Sequence, residues 1–180
     1  MPVVGLYPRL RNDETARSAK CGCVVRFTGM PVIVVGADTG PGKLIIERLN
    51  HPEREIRAFV TSDATAIELK DKGVKVALGD VSDESHVEGA ALRCFSAVLV
   101  AEAAEDNRER SFADSPQDVM SGWARAVARS KVKRVIWVTQ GDPPETAIHE
   151  VARVDPADPE LVEKVAALDD AQTITRPAAD

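Results

Sequence analysis

From residue 31 onward, short apolar runs alternate with stretches whose apolar positions recur at helical spacing. Val32-Ile33-Val34-Val35 is a continuous apolar run, and Lys43-Leu44-Ile45-Ile46-Glu47-Arg48-Leu49 behind it carries its apolar residues on one helical face. A glycine cluster separates the two, so the pattern predicts strand, tight turn and helix. It then repeats: a strand over Ile56 to Val60, a helix over Ala64 to Lys72 halted by Gly73, a strand over Val74 to Leu78, a helix over Glu84 to Leu92 and a strand over Ala97 to Ala101. Residues 102–114 are charged and irregular. Ser115-Pro116-Gln117-Asp118 then supplies an N-cap serine, a first-turn proline and an acid at the third helical position, ahead of a stripe of Val119, Met120, Trp123 and Val127 that reads as core. A fifth strand is expected over Arg134 to Thr139, ended by Asp142-Pro143-Pro144, followed by a helix near Pro159 to Leu168 and a last strand over Thr173 to Arg176. Strands apolar on both faces and separated by helices call for parallel pairing with right-handed crossovers. The expected fold class is α/β: a doubly wound parallel sheet in a three-layer α/β/α arrangement.

Composition fixes the scale of this domain. A chain of 180 residues with 44% hydrophobic positions can bury one core, and it contains no apolar stretch long enough to span a bilayer. Residues 1–29 show no sustained period and are expected to be an irregular or disordered extension, with the domain over 30–180. The extension carries a net charge of +3 within a total of −6, which leaves −9 on the domain. That balance argues against nucleic acid, whose phosphates call for a basic face. Three cysteines, Cys21, Cys23 and Cys94, are too few for a disulfide scaffold and fit a reducing, cytoplasmic setting. Cys21-Gly22-Cys23 has one spacer and no second pair, so no metal site is expected.

The residues with most chemistry are Gly36-Ala37-Asp38-Thr39-Gly40-Pro41-Gly42, between the first strand and the first helix. Glycines there permit a positive φ and let backbone N–H groups approach a pyrophosphate, while the helix start adds free donors and partial positive charge. At the head of a βαβ series, this is the turn of a dinucleotide site. A P-loop is excluded on two grounds: Gly36 stands one residue too far from Gly42-Lys43, and Leu44 replaces the hydroxyl that would hold Mg²⁺.

The G-x-x-x-G-x-G spacing resembles the short-chain dehydrogenase/reductase superfamily, whose fold is Rossmann-like. Further segments follow it. Gly79-Asp80-Val81-Ser82-Asp83 resembles the family's pair in which Asp80 would bond the adenine and the Val81 backbone would line its pocket. Ala97 to Ala104 resembles the strand that passes under the cofactor, with Ala101 beside it. Val132 to Thr139 is similar to the strand ending in the family's active-site Ser/Thr. Thr173-Ile174-Thr175-Arg176-Pro177 is similar to a strand of the atypical, NmrA-like members. The resemblance implies NAD or NADP as cofactor, held by Gly36, Asp38, Thr39, Gly40, Pro41, Gly42, Thr61, Asp80, Val81 and Ala101. It also implies a chain that stops short of the segment closing over substrate in such relatives.

Two departures bear on function. At the end of the second strand, where an acid accepts from ribose hydroxyls and a basic residue accommodates a 2′-phosphate, the chain offers Thr61-Ser62-Asp63 and no arginine. This favours NAD, with Asp63 either facing the ribose or capping the next helix. The family's catalytic tyrosine, four residues before a lysine, is missing, since Tyr7 is the only tyrosine and lies in the extension. The nearest substitutes are Thr139 and His149, the latter four residues before Arg153. His51 and His86 have no companion ligands and read as surface residues. The sequence therefore reads as a dinucleotide binder or sensor. The alternative is an NAD(P)-dependent oxidoreductase or epimerase acting on a small molecule with non-standard acid/base groups, and homo-oligomerisation is compatible with either.

Overall fold

A computed structural model describes residues 29–175. It contains six strands, β1 (Val32–Val35), β2 (Ile56–Val60), β3 (Lys75–Leu78), β4 (Ser96–Val100), β5 (Arg134–Val138) and β6 (Glu150–Val154), and six helices, α1 (Gly40–Leu49), α2 (Asp63–Asp71), α3 (Glu84–Ala91), α4 (Glu102–Glu105), α5 (Pro116–Arg129) and α6 (Leu161–Asp170). All strands pair in parallel in the order β3-β2-β1-β4-β5-β6. The order reverses between β1 and β4, and the carboxyl ends of these two strands frame the crevice where doubly wound sheets take ligands.

Alternation along each strand divides the core into two layers. Val32 and Val34 of β1, with Ala58, Val60, Val98, Val100, Ile136 and Val138, face α1, α2 and α6 through Ile45, Ile46, Leu49, Leu69, Leu161 and Val165. Ile33, Val35, Phe59, Leu99, Val135 and Trp137 face the other way, against α3 and α5. Because both faces are buried, the central strands read as unbroken apolar runs. Trp123 and Trp137 are fully buried on the second face and stack with ring centroids 6.5 Å apart. Met120 and Trp123 are thus core residues, as their stripe predicts. Helix α5 starts as its letters require: the Ser115 hydroxyl oxygen accepts from the Asp118 amide at 3.1 Å, and Pro116 fills a first-turn position.

Two segments depart from expectation. The sixth strand is Glu150–Val154, whereas residues 173–175 form no strand and Arg176 lies outside the described residues. Its charged residues, Glu150 and Arg153, carry no strand signal in the sequence. Register explains it instead, since Glu150 pairs directly with Arg134 on β5, and the ion pair closes at 2.6 Å. The path from β5 to β6 runs through residues 139–149 without a helix. The second departure is α4, one short helical turn inside the stretch expected to be wholly irregular. Residues 1–28, including Tyr7, Cys21 and Cys23, lie outside the described residues.

At the amino ends of the strands a charged cluster is buried. Arg134 has 0% exposure. Its guanidinium pairs with Glu150, donates to the carbonyls of Leu168 and Asp169 at 2.8 and 2.7 Å, and lies over the Phe95 ring. It thereby satisfies carbonyls at the end of α6 that have no partner within that helix. The Asp169 carboxylate accepts from the Ser96 hydroxyl and pairs with Arg54.

Candidate functional site

The glycine turn is built by one threonine. Thr39 caps α1: its hydroxyl donates to the Gly36 carbonyl at 2.7 Å, and its oxygen accepts from the Gly42 amide at 3.1 Å. Gly36 holds φ at +80°, in the left-handed region that glycine adopts without strain. The other two glycines differ in purpose. A Cβ on Gly42 would come within 2.1 Å of the Gly36 carbonyl oxygen, so its lack of a side chain is a packing requirement. A Cβ on Gly40 would meet nothing within 4 Å. The fold leaves open space beside Gly40 at the start of α1, where the leading N–H groups have no intrahelical acceptor. Backbone N–H groups, open space and a positive helix end together fit a pyrophosphate.

Asp38 ties this turn to the end of β2. One carboxylate oxygen accepts from the amides of Thr61 and Ser62 at 2.8 and 3.2 Å. The other accepts from the Arg108 guanidinium at 3.0 Å, and the same nitrogen donates to the Thr61 hydroxyl at 3.0 Å. Arg108 pairs with Asp106 as well, at 2.6 Å. Burial alone would lower the Arg108 pKa, but the hydrogen bonds it donates to Asp106 and Asp38 outweigh that and raise the group above its ordinary value. Burial would likewise raise Asp106, and the bonds from Arg108 reverse that and hold the carboxyl low.

At the end of β3, Asp80 accepts from the Ser82 hydroxyl at 2.6 Å and the Ser82 amide at 2.8 Å. Its second oxygen accepts from the Ser111 amide at 2.7 Å. Desolvation pushes this carboxyl upward, yet the Ser82 hydroxyl and the amides of Ser111 and Ser82 prevail and hold it below its ordinary value. Val81 is fully buried, and its carbonyl accepts from the Trp123 indole at 2.7 Å. Ala101, 1% exposed, follows β4 directly and receives its place from a bond to the Val138 carbonyl at 3.0 Å.

The structure therefore gathers Gly36, Asp38, Thr39, Gly40, Pro41, Gly42, Thr61, Asp80, Val81 and Ala101 along one edge of the sheet. Thr139 joins them at the end of β5, where its hydroxyl oxygen accepts from the Gly141 amide at 3.2 Å. His149 does not. It precedes β6 at the opposite edge and lines a groove of about 550 Å³ with Phe95, Lys131, Lys133, Ile148 and Gln172. The spacing to Arg153 suggested one helical turn, but along a strand four residues span roughly 13 Å. Asp63 is exposed in the first turn of α2, whose cap is Ser62. Reading the letters in order missed Arg108. Its partners stand 70 and 47 positions away, and the only local signal is its pairing with Asp106 two residues before. No group of histidine, cysteine and acidic side chains among the described residues could hold a metal ion.

A doubly wound sheet with a glycine turn at its switch point defines a dinucleotide-binding domain. The family model for NAD(P)H-binding domains matches residues 36–173, and the chain belongs to that family. Among solved structures, NmrA, a negative transcriptional regulator in complex with NADP, is similar with a TM-score of 0.52 at 16% identity, over 64% of this chain and 35% of that one. The triphenylmethane reductase of Citrobacter sp., complexed with NADP(H), gives 0.50 at 20% identity over 60% and 36%. Pen from Bacillus thuringiensis gives 0.50 at 18% over 63% and 38%. The likeness is one of fold, and the chain spans little more than a third of these structures. A search of curated proteins returns no significant match. No helix among the described residues is long and apolar enough to cross a membrane.

Proposed function

We propose that this chain binds NAD(P) across the ends of β1 and β4 and acts as a dinucleotide binder or sensor. The observation that carries the reading is the capped glycine turn, with open space at Gly40 and packed glycines on either side. A bound nicotinamide would supply hydride chemistry, and the protein's share would be to hold and orient it. Support for binding over turnover comes from the residues near it. No tyrosine stands among the described residues, and the Thr139 hydroxyl oxygen already caps its own turn.

Within that reading, NAD is the form we propose. The cation at the end of β2, Arg108, lies between two carboxylates, Asp38 and Asp106, so the cluster carries a net charge of −1. A 2′-phosphate would have to compete with both acids for one guanidinium. The buried, free Cys94, its thiol pushed up to about 11 by desolvation, suits the reducing cytoplasm in which we place the protein.

Calorimetric titration with NAD(H) and NADP(H) tests the reading directly. Binding of NAD(H) ahead of NADP(H) is the expected result, and failure of all four at millimolar concentration overturns it. Gly40→Val sharpens the test, because the fold has room for the side chain while the pyrophosphate does not. The variant should melt within about 0.5 kcal/mol of the parent and lose affinity by roughly a hundredfold or more, the equivalent of about 2.7 kcal/mol.

A further inference from the structure

Residues 106–112 run from the end of α4 toward α5 across the carboxyl ends of β1, β2 and β3, and they make three ties there. The Arg108 guanidinium donates to Asp38 and to the Thr61 hydroxyl. The Ser111 amide donates to Asp80, and the Phe112 amide donates to the Ser82 hydroxyl at 3.0 Å. Every tie thus places a donor of this segment on an acceptor of the crevice. Adenosine carries donors of the same kind in its ribose hydroxyls and exocyclic amine, and the end of β2 is where such a sheet receives that ribose.

We propose that residues 106–112 form a strap that fills the adenosine half of the crevice with substitute hydrogen bonds, so that a dinucleotide enters only after Arg108 releases Asp38 and Thr61. This inference rests on the NAD(P) reading above. The strap is fastened by polar ties, which a ligand can replace bond for bond. Its aromatic residue, Phe112, points outward at 67% exposure and adds little apolar anchorage. Its ends, by contrast, are fixed. Ala103 and Ala104 of α4 are fully buried, and Ser115 caps α5. A segment with firm ends and an exchangeable middle can swing without disturbing the sheet.

A closed state that holds about nine-tenths of the molecules weakens apparent affinity about tenfold, and loosening it restores that factor. The test is calorimetry with NAD on the full chain and on two variants. Arg108→Gln weakens the inner tie. Ser111→Pro removes the amide that donates to Asp80 and leaves every crevice acceptor in place, which keeps the test alive if the first variant folds poorly. Tightening by about tenfold in both is the expected result. Trypsin cleavage after Arg110 should also be faster when NAD saturates the parent protein. Unchanged or weaker binding in both variants, or protection of Arg110 by NAD, overturns the strap while leaving the NAD(P) reading standing. Failure of the parent and both variants to bind any of NAD(H) and NADP(H) overturns the two together.

Discussion

An ion-paired arginine lies at each end of the strands, Arg134 at the amino ends and Arg108 at the carboxyl ends, and the two differ in what they join. Arg134 links register partners on two strands to the end of α6, and it has no exposed surface. Arg108 links two loops, keeps 13% of its side chain in solvent and has a partner, Asp106, that is one-third exposed. A cation locked among rigid elements away from water must stay paired, because separating it strands a buried charge. A cation between loops, with one partner that reaches water, can give up the buried Asp38 when a ligand supplies replacement bonds there. The same chemistry serves as an anchor at one end and as a latch at the other.

The largest test of that contrast is Arg134→Ala. It leaves Glu150 without its partner and uncaps α6, and it should cost about 3–5 kcal/mol in chemical denaturation. A loss below about 1 kcal/mol, the range of exposed pairs, would make the two ends equivalent.

A smaller effect concerns pH. Asp80 and Asp106 have folded pKa values held below the ordinary 3.8, so their ties are at full strength above that value and are lost as pH falls through the lower folded values. Hydrogen exchange at the Ser111 and Phe112 amides, corrected for intrinsic rates, should therefore keep its protection down to about pH 4 and lose it only at lower pH. Protection that persists in acid would mean that the strap is held by something other than these carboxylates. The smallest effect is expected for His149→Ala, which should leave both stability and NAD affinity within about 0.5 kcal/mol of the parent. A marked drop in affinity would carry the far edge into the site.

What was legible in the letters was local. The glycine turn, its threonine cap, the serine cap of α5 and the buried strands depend on neighbours a few residues away, and period and capping rules reach that far. The sixth strand was hidden because Glu150 finds its partner sixteen positions back, across a sheet whose order the letters do not state. The residues along the crevice could be named, but the segment tied across them could not. Arg108 belongs to a charged run that looks solvated until β1 and β2 bring Asp38 and Thr61 together.

The stacked indoles give the molecule a property unrelated to its stability. Trp123 and Trp137 are the only two tryptophans in the chain. One of them donates to the carbonyl of Val81, the neighbour of Asp80, to which the strap is tied. Ultraviolet emission from this pair therefore originates beside the crevice and nowhere else, giving the protein an intrinsic optical reporter, free of any label, for whatever enters or leaves it.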